Sequence, residues 1–239
     1  MKKMKIYCLP YAGGSANLYF DWKKKYASVA EIIPVEYKGH GSLFGEPFYK
    51  DADEAADDIY TRICNEKPTN YMIYGHSMGS LIALLVAIKL EKSDYKPLPK
   101  AVMVGGMRPP HLRHKDEPLS HLPKDEFMQK IVDLGQMDLE IMNEPELVDI
   151  LYGIIHADLA LTEAYEPNEE LPEISIPMIV MTGREDKEAP FDEMCQWEWY
   201  TTSHFYLKKF DGGHFFPFNC QGFEGYYLEM IDKVNRGLL

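Results

Sequence analysis

Apolar residues recur along the chain in short blocks: Lys5-Ile-Tyr-Cys-Leu9, Glu31-Ile-Ile-Pro-Val35, Asn70-Tyr-Met-Ile-Tyr74, Lys100-Ala-Val-Met-Val104, Met178-Ile-Val-Met-Thr182 and Phe205-Tyr-Leu-Lys-Lys-Phe210. Each has the length and the β-branched or aromatic content of a strand. Helical stretches separate them, predicted at 52–65, opened by acidic residues, at 80–92 and at 222–237. Strands alternating with helices predict an α/β fold, with a mainly parallel sheet covered by helices on both faces.

The alternation stops between about 111 and 172. There the pattern turns amphipathic and helical, in Leu122-Pro-Lys-Asp-Glu-Phe-Met-Gln-Lys-Ile-Val-Asp-Leu134 and Glu144-Pro-Glu-Leu-Val-Asp-Ile-Leu-Tyr-Gly-Ile-Ile155. Pro123 and Pro145 suit helix starts. A helical block inserted between two strands after the first half of a sheet is expected to be a lid over a site, the plainer alternative being a packing extension. In either case Phe127, Met128, Ile131, Leu151 and Ile155 must cover an apolar surface.

At 239 residues and 46% hydrophobic, the chain suits one domain, 1–239, carrying the insertion at about 111–172. Its net charge of −13 repels nucleic acid and anionic membranes, so neither is an expected partner. Cys8, Cys64, Cys195 and Cys220 are scattered without C-x-x-C spacing, which points to reduced thiols in a cytoplasmic protein, all four read as buried small residues. No metal and no redox cofactor is expected. The first ten residues lack the apolar core of a signal peptide, and no stretch reaches the roughly 20 apolar residues of a membrane span.

Candidate chemistry centres on Gly75-His-Ser-Met-Gly79, which follows the apolar run Tyr71-Met-Ile-Tyr74 and opens the helical run from Ser80. A serine at a strand-to-helix turn this tight is the nucleophile elbow. The flanking glycines remove Cβ atoms that would clash, and the helix aims its positive end where an oxyanion forms. Ser77 needs a base and the base an orienting acid. His214 in the glycine-rich Phe210-Asp-Gly-Gly-His-Phe-Phe216 is the candidate base. Asp186, a few residues past the fifth block, is the candidate acid, with Glu185 its near competitor and Asp158 a weaker one. His76 is set aside because it neighbours the nucleophile and points elsewhere; His40, in Lys38-Gly-His-Gly41, belongs to a turn that either lines the site or only shapes the chain. The order Ser77, Asp186, His214 is that of α/β-hydrolases. Oxyanion donors are expected at the Met78 N–H and, from Leu9-Pro-Tyr-Ala-Gly-Gly-Ser15, at Ala12, with Tyr11 the alternative.

Taken together, the chain resembles the type II thioesterases that accompany non-ribosomal peptide and polyketide synthases. The likeness rests on Leu9-Pro-Tyr-Ala-Gly-Gly-Ser15, Gly39-His-Gly41 with Glu46-Pro47, Gly75-His-Ser-Met-Gly79, Arg108-Pro-Pro-His-Leu112, Leu122-Pro-Lys-Asp-Glu-Phe127, His156-Ala-Asp-Leu-Ala-Leu161 with Tyr165, and Gly213-His-Phe-Phe216. Lys38 and His156 depart from the family's usual Pro and Arg. The resemblance implies an α/β-hydrolase fold, no cofactor, and hydrolysis of acyl thioesters on the phosphopantetheine arm of acyl or peptidyl carrier domains. A small-molecule carboxylesterase or lipase, and a non-hydrolytic receptor of the same fold, are the alternatives. Arg108, Arg113 and Lys115, interleaved with His111 and His114, form the densest basic patch and the candidate docking surface for an acidic carrier. The protein is expected to be a monomer.

Overall fold

A computed structural model describes residues 3–115, 117–135, 137–167 and 173–239. The strands are β1 (Met4–Leu9), β2 (Ala30–Pro34), β3 (Tyr71–His76), β4 (Val102–Gly105), β5 (Met178–Gly183) and β6 (Phe205–Phe210). The helices are α1 (Phe20–Lys25), α2 (Ala52–Glu66), α3 (Met78–Lys92), α4 (Lys124–Asp133), α5 (Pro145–Glu163), α6 (Phe191–Met194), α7 (Phe216–Asn219) and α8 (Gln221–Asn235). The strands form one sheet in the order β2-β1-β3-β4-β5-β6, with every pairing parallel. Each apolar block predicted as a strand is one, within two residues at either end.

The period of two along each strand divides the core. Tyr7, Leu9, Ile73, Val102, Val104, Met178 and Val180 face the layer with α2 and α3. Ile6, Cys8, Met72, Tyr74, Met103, Ile179 and Met181 face the opposite layer, where Trp22, Phe223 and Tyr227 come from α1 and α8. Helix α3 is buried almost all round, as its unbroken run of Leu, Ile, Val and Ala requires. Each such side chain stabilises the fold by about 1.5–3 kcal/mol relative to exposure. Asp51 caps α2 by accepting the Glu54 N–H at 2.7 Å. No helix among the described residues is long and apolar enough to cross a membrane.

Between β4 and β5 lie α4 and α5, which gather Phe127, Met128, Ile131, Met137 and Ile155 into an apolar cluster of their own. Pro123 is the N-cap of α4 and Pro145 occupies the first turn of α5. Helix α5 runs eight residues past the expected end at Ile155. The buried face continues at helical spacing through Asp158, Leu161 and Thr162, two of them polar, which is why apolar periodicity alone ends at Ile155. Glu163 at its last turn accepts the N–H groups of Leu119 (2.8 Å) and Ser120 (3.1 Å), and His156 Nε2–H donates to the Ser120 carbonyl at 3.0 Å.

The reading of all four cysteines as buried is corrected for three of them. Cys8 is buried, but Cys64 and Cys220 are half-buried, and Cys195 is exposed. Cys195 opens the surface turn after α6, where its thiol donates to the Asp192 carbonyl at 3.0 Å.

Candidate active site

The sheet register sets the carboxyl ends of its central strands side by side, pairing Leu9 with Gly75, His76 with Gly105 and Gly183 with Phe210. The loops that leave them therefore meet at one edge, the usual ligand edge of an open α/β sheet. Between β3 and α3, Ser77 is held at φ +53°, ψ −122°, a conformation that costs a non-glycine residue of order 1–3 kcal/mol. The strain persists because the surroundings allow nothing else. A Cβ on Gly75 would lie 2.0 Å from the Gly79 carbonyl oxygen, and one on Gly79 would lie 2.3 Å from that of Leu9. The Ser77 N–H donates to the Gly105 carbonyl at 2.7 Å. The buried Ser80 hydroxyl lies within 3.0 Å of the carbonyl oxygens of Gly75 and Gly105. The sequence pattern marks Ser80 only as a helix start, and nothing local signals these two contacts.

The acid and base loops are built against one another. Arg184 N–H donates to Phe210 O (2.7 Å) and Glu185 N–H to Gly212 O (3.0 Å). Gly183 permits the approach, since a Cβ there would meet the Gly213 carbonyl at 2.3 Å. The result is a His214 Nδ1 at 3.2 and 3.1 Å from the two carboxylate oxygens of Asp186. A carboxylate only accepts, so Nδ1 carries the proton and, in the neutral ring, Nε2 keeps its lone pair. That tautomer is the one a base toward a hydroxyl needs. Asp186 Oδ1 also accepts the N–H groups of Glu188 (2.9 Å) and Ala189 (3.2 Å). Burial pushes the Asp186 carboxyl up, but the bond to His214 and its charge, together with the Ala189 N–H, outweigh it and hold the group below its ordinary value. The Glu185 side chain is exposed and makes no hydrogen bond to His214 among the described residues. Among the described residues the Ser77 hydroxyl makes no hydrogen bond; contacts of this kind are often long without substrate and tighten with it.

In the loop after β1, Gly14 N–H donates to Tyr11 O at 2.9 Å and Gly13 N–H to Asp158 Oδ2 at 2.7 Å. Those of Tyr11 and Ala12 have no acceptor among the described residues. The Met78 N–H, at the first position of α3, has none within the helix. Tyr11, Ala12 and Gly13 form one wall of a cleft of about 270 Å³ whose other wall includes Met137, Ile141, Leu151 and Ile155 from the helical block. A cleft of this size and mixed polar and apolar lining, beside the backbone of Tyr11 and Ala12, has room for a modest acyl chain.

Other sequence candidates fall elsewhere. Asp158 meets His40 and not His214: His40 Nε2 lies 2.9 Å from Asp158 Oδ2. His76 is fully buried among Tyr11, Phe215, Phe216 and Phe218, with its ring 5.2 Å from that of His214. Among the described residues neither of its ring nitrogens has a hydrogen-bond partner, and burial, followed by the nearby His214, pushes it down to about 3. Arg108 is engaged within the protein: its Nε lies 3.1 Å from Glu193 Oε2 and its Nη2 donates to the Lys187 carbonyl at 3.3 Å. The side chains of Arg113 and Lys115 lie outside the described residues.

The model of the thioesterase domain matches residues 4–233. The chain belongs to the thioesterase domain family. This thioesterase is 27% identical over 214 residues to linear gramicidin dehydrogenase LgrE of Brevibacillus parabrevis, covering 88% of the chain and 81% of LgrE. It is 27% identical over 219 residues to thioesterase PikA5 of Streptomyces venezuelae, covering 89% and 75%. Among solved structures, ClbQ from the colibactin non-ribosomal peptide and polyketide synthase pathway is 28% identical and superposes with a TM-score of 0.88, covering 98% of the thioesterase and 99% of ClbQ. The likeness therefore includes the helical block as well as the sheet.

Proposed function

We propose that this enzyme is a type II thioesterase that releases acyl groups from the phosphopantetheine thiol of carrier domains, so that a misprimed synthase runs again. The observation that carries the reading is a serine strained into an elbow at the sheet edge that also holds the His214–Asp186 pair, in a chain of the thioesterase family. ClbQ's place in a synthase pathway supports carrier domains as the partner class.

In the proposed reaction Ser77 gives its proton to His214 Nε2 and attacks the thioester carbonyl. The oxyanion is met by the N–H groups of Met78 and Ala12, and Asp186 stabilises the imidazolium. The carrier thiol leaves with the proton that His214 returns. Water, deprotonated by the same histidine, then frees the carboxylic acid and restores Ser77. A thiol, with a pKa near 8.5, is a far better leaving group than an amine and asks little of the acid step. The helical block acts as the lid and lines the acyl cleft, and a cytoplasmic monomer meets the carrier through Arg113 and Lys115.

The test is a kinetic panel in which acyl-carrier protein, acyl coenzyme A and a simple ester of the same acyl chain are compared at one enzyme concentration. The reading expects the highest kcat/KM with the carrier. A preference for the simple ester makes the protein an esterase, and tight binding without turnover makes it a receptor.

A further inference from the structure

A second buried histidine–carboxylate pair lies on the far side of the oxyanion loop, and the proposed reaction does not use it. Asp158 sits on the inner face of α5, 5% exposed, and His40 lies opposite it, 2% exposed, in the loop after β2. One oxygen of Asp158, Oδ2, receives both His40 Nε2 at 2.9 Å and the Gly13 N–H at 2.7 Å. The other ring nitrogen, His40 Nδ1, faces the Lys38 carbonyl at 3.0 Å. Both partners of the ring are acceptors, so both nitrogens donate only when the ring is an imidazolium. The pair is then a buried ion pair, retained where an apolar contact would stabilise as well. That cost calls for a reason beyond packing.

The reason lies in what Gly13 adjoins. Its φ is +79°, and a Cβ there would sit 2.6 Å from Ile155 Cγ1, one turn before Asp158 on the same helix. Helix α5 therefore grips this residue through a hydrogen bond and through packing. The peptide immediately before it carries the Ala12 N–H, and fixing the Gly13 N–H toward α5 restricts the rotation of the chain at Ala12, which lines the cleft. Oxyanion donors act through such fixed aim, since a donor that must reorient during the reaction loses its advantage.

We propose that Asp158, clamped by His40, is a positioning residue that aims the Ala12 N–H into the oxyanion hole and locks α5 to that loop, so that oxyanion stabilisation and the seating of the helical block depend on one carboxylate. The inference rests on the serine-hydrolase reading above. Burial alone lowers the basicity of His40, but the bond and charge of Asp158, the Lys38 carbonyl and the charge of Glu36 outweigh it and raise it above the ordinary histidine value. The rings of Tyr37 and Phe48 pack edge-on against the His40 ring.

The test compares the full-length wild type with Asp158→Asn and His40→Gln. Read out are kcat and KM for a short acyl N-acetylcysteamine thioester, and the inhibition constant of an alkyl trifluoromethyl ketone, which forms a tetrahedral adduct on the serine. Asp158→Asn is expected to lower kcat by about tenfold to a hundredfold, less than the full loss of an oxyanion donor. KM should stay within about threefold, and ketone affinity should fall by the same factor as kcat/KM. His40→Gln, which leaves the Asp158–Gly13 bond in place, should show the same pattern at smaller size, and decides the matter if Asp158→Asn does not fold. Unchanged ketone affinity in folded variants, or a loss confined to KM, overturns the inference. Should wild type fail to form the ketone adduct at Ser77, the serine-hydrolase reading itself has failed, an outcome distinct from wild-type behaviour of the variants.

Discussion

His76 makes the fold acid-sensitive by a calculable amount. It is fully buried, both ring nitrogens lack partners among the described residues, and burial and the nearby His214 push its pKa down to about 3. In the unfolded chain the same ring titrates near 6.5. The folded value is depressed, so the neutral ring's full contribution to stability is present above about pH 6.5 and declines as the pH falls toward the folded value. Over that window the unfolded state holds one more proton than the folded one. The slope is then about 1.4 kcal/mol per pH unit, or about 2 kcal/mol by pH 5. Replacing the ring by an apolar group of similar volume, His76→Leu, removes the titration while keeping the site filled. Urea unfolding of wild type and variant from pH 7.5 to 5 should show the two stabilities changing in favour of the variant by about 2 kcal/mol across that range. Parallel pH profiles would refute the reasoning, since they would mean that His76 is protonated in the folded protein or is not buried in solution.

Asp186→Asn should lower kcat by several orders of magnitude, as loss of the orienting acid does in serine hydrolases generally, whereas Glu185→Gln should leave it within about twofold; steady-state kinetics on one substrate decides between them. Because its folded pKa is held below the ordinary carboxylate value, Asp186 stabilises the fold above about pH 4 and loses that contribution as the pH falls through its own lower value, so the Asn variant should show a shallower acid limb in unfolding. Gly79→Ala should fail to give a native fold, because the added Cβ would lie 2.3 Å from the Leu9 backbone oxygen; circular dichroism and thermal melting test this. Reversing the charge of Arg113 and Lys115 together should raise KM for an acyl-carrier substrate and weaken its salt dependence without altering turnover of a small thioester.

Strands, helices and the elbow were legible because each is written in contiguous sequence: period-two or unbroken apolar runs for β1 to β6, and glycines around Ser77 whose missing Cβ atoms the packing requires. The pairing of His214 with Asp186 followed from loop positions, since both leave the same sheet edge. His40 and Asp158 lie 118 residues apart in sequence, and no local pattern announces the contact. The engagement of Arg108 with Glu193 was hidden for the same reason, because a cluster of charges in sequence does not reveal which of them the fold turns inward. Cys195 misled because cysteine as a residue type is usually buried, whereas its polar flanks Asp192, Glu193 and Gln196 belong to the surface segment, α6 and the turn after it, that exposes it.

The most direct measurement of the central claim is acid quench of the enzyme during turnover of an acyl-carrier substrate, followed by peptide mass spectrometry. The account predicts an acyl mass on the peptide containing Ser77, absent in Ser77→Ala, whose turnover falls by several orders of magnitude while its fold is retained. An acyl group on another residue, or a tenth of wild-type turnover in the folded Ala variant, would contradict it.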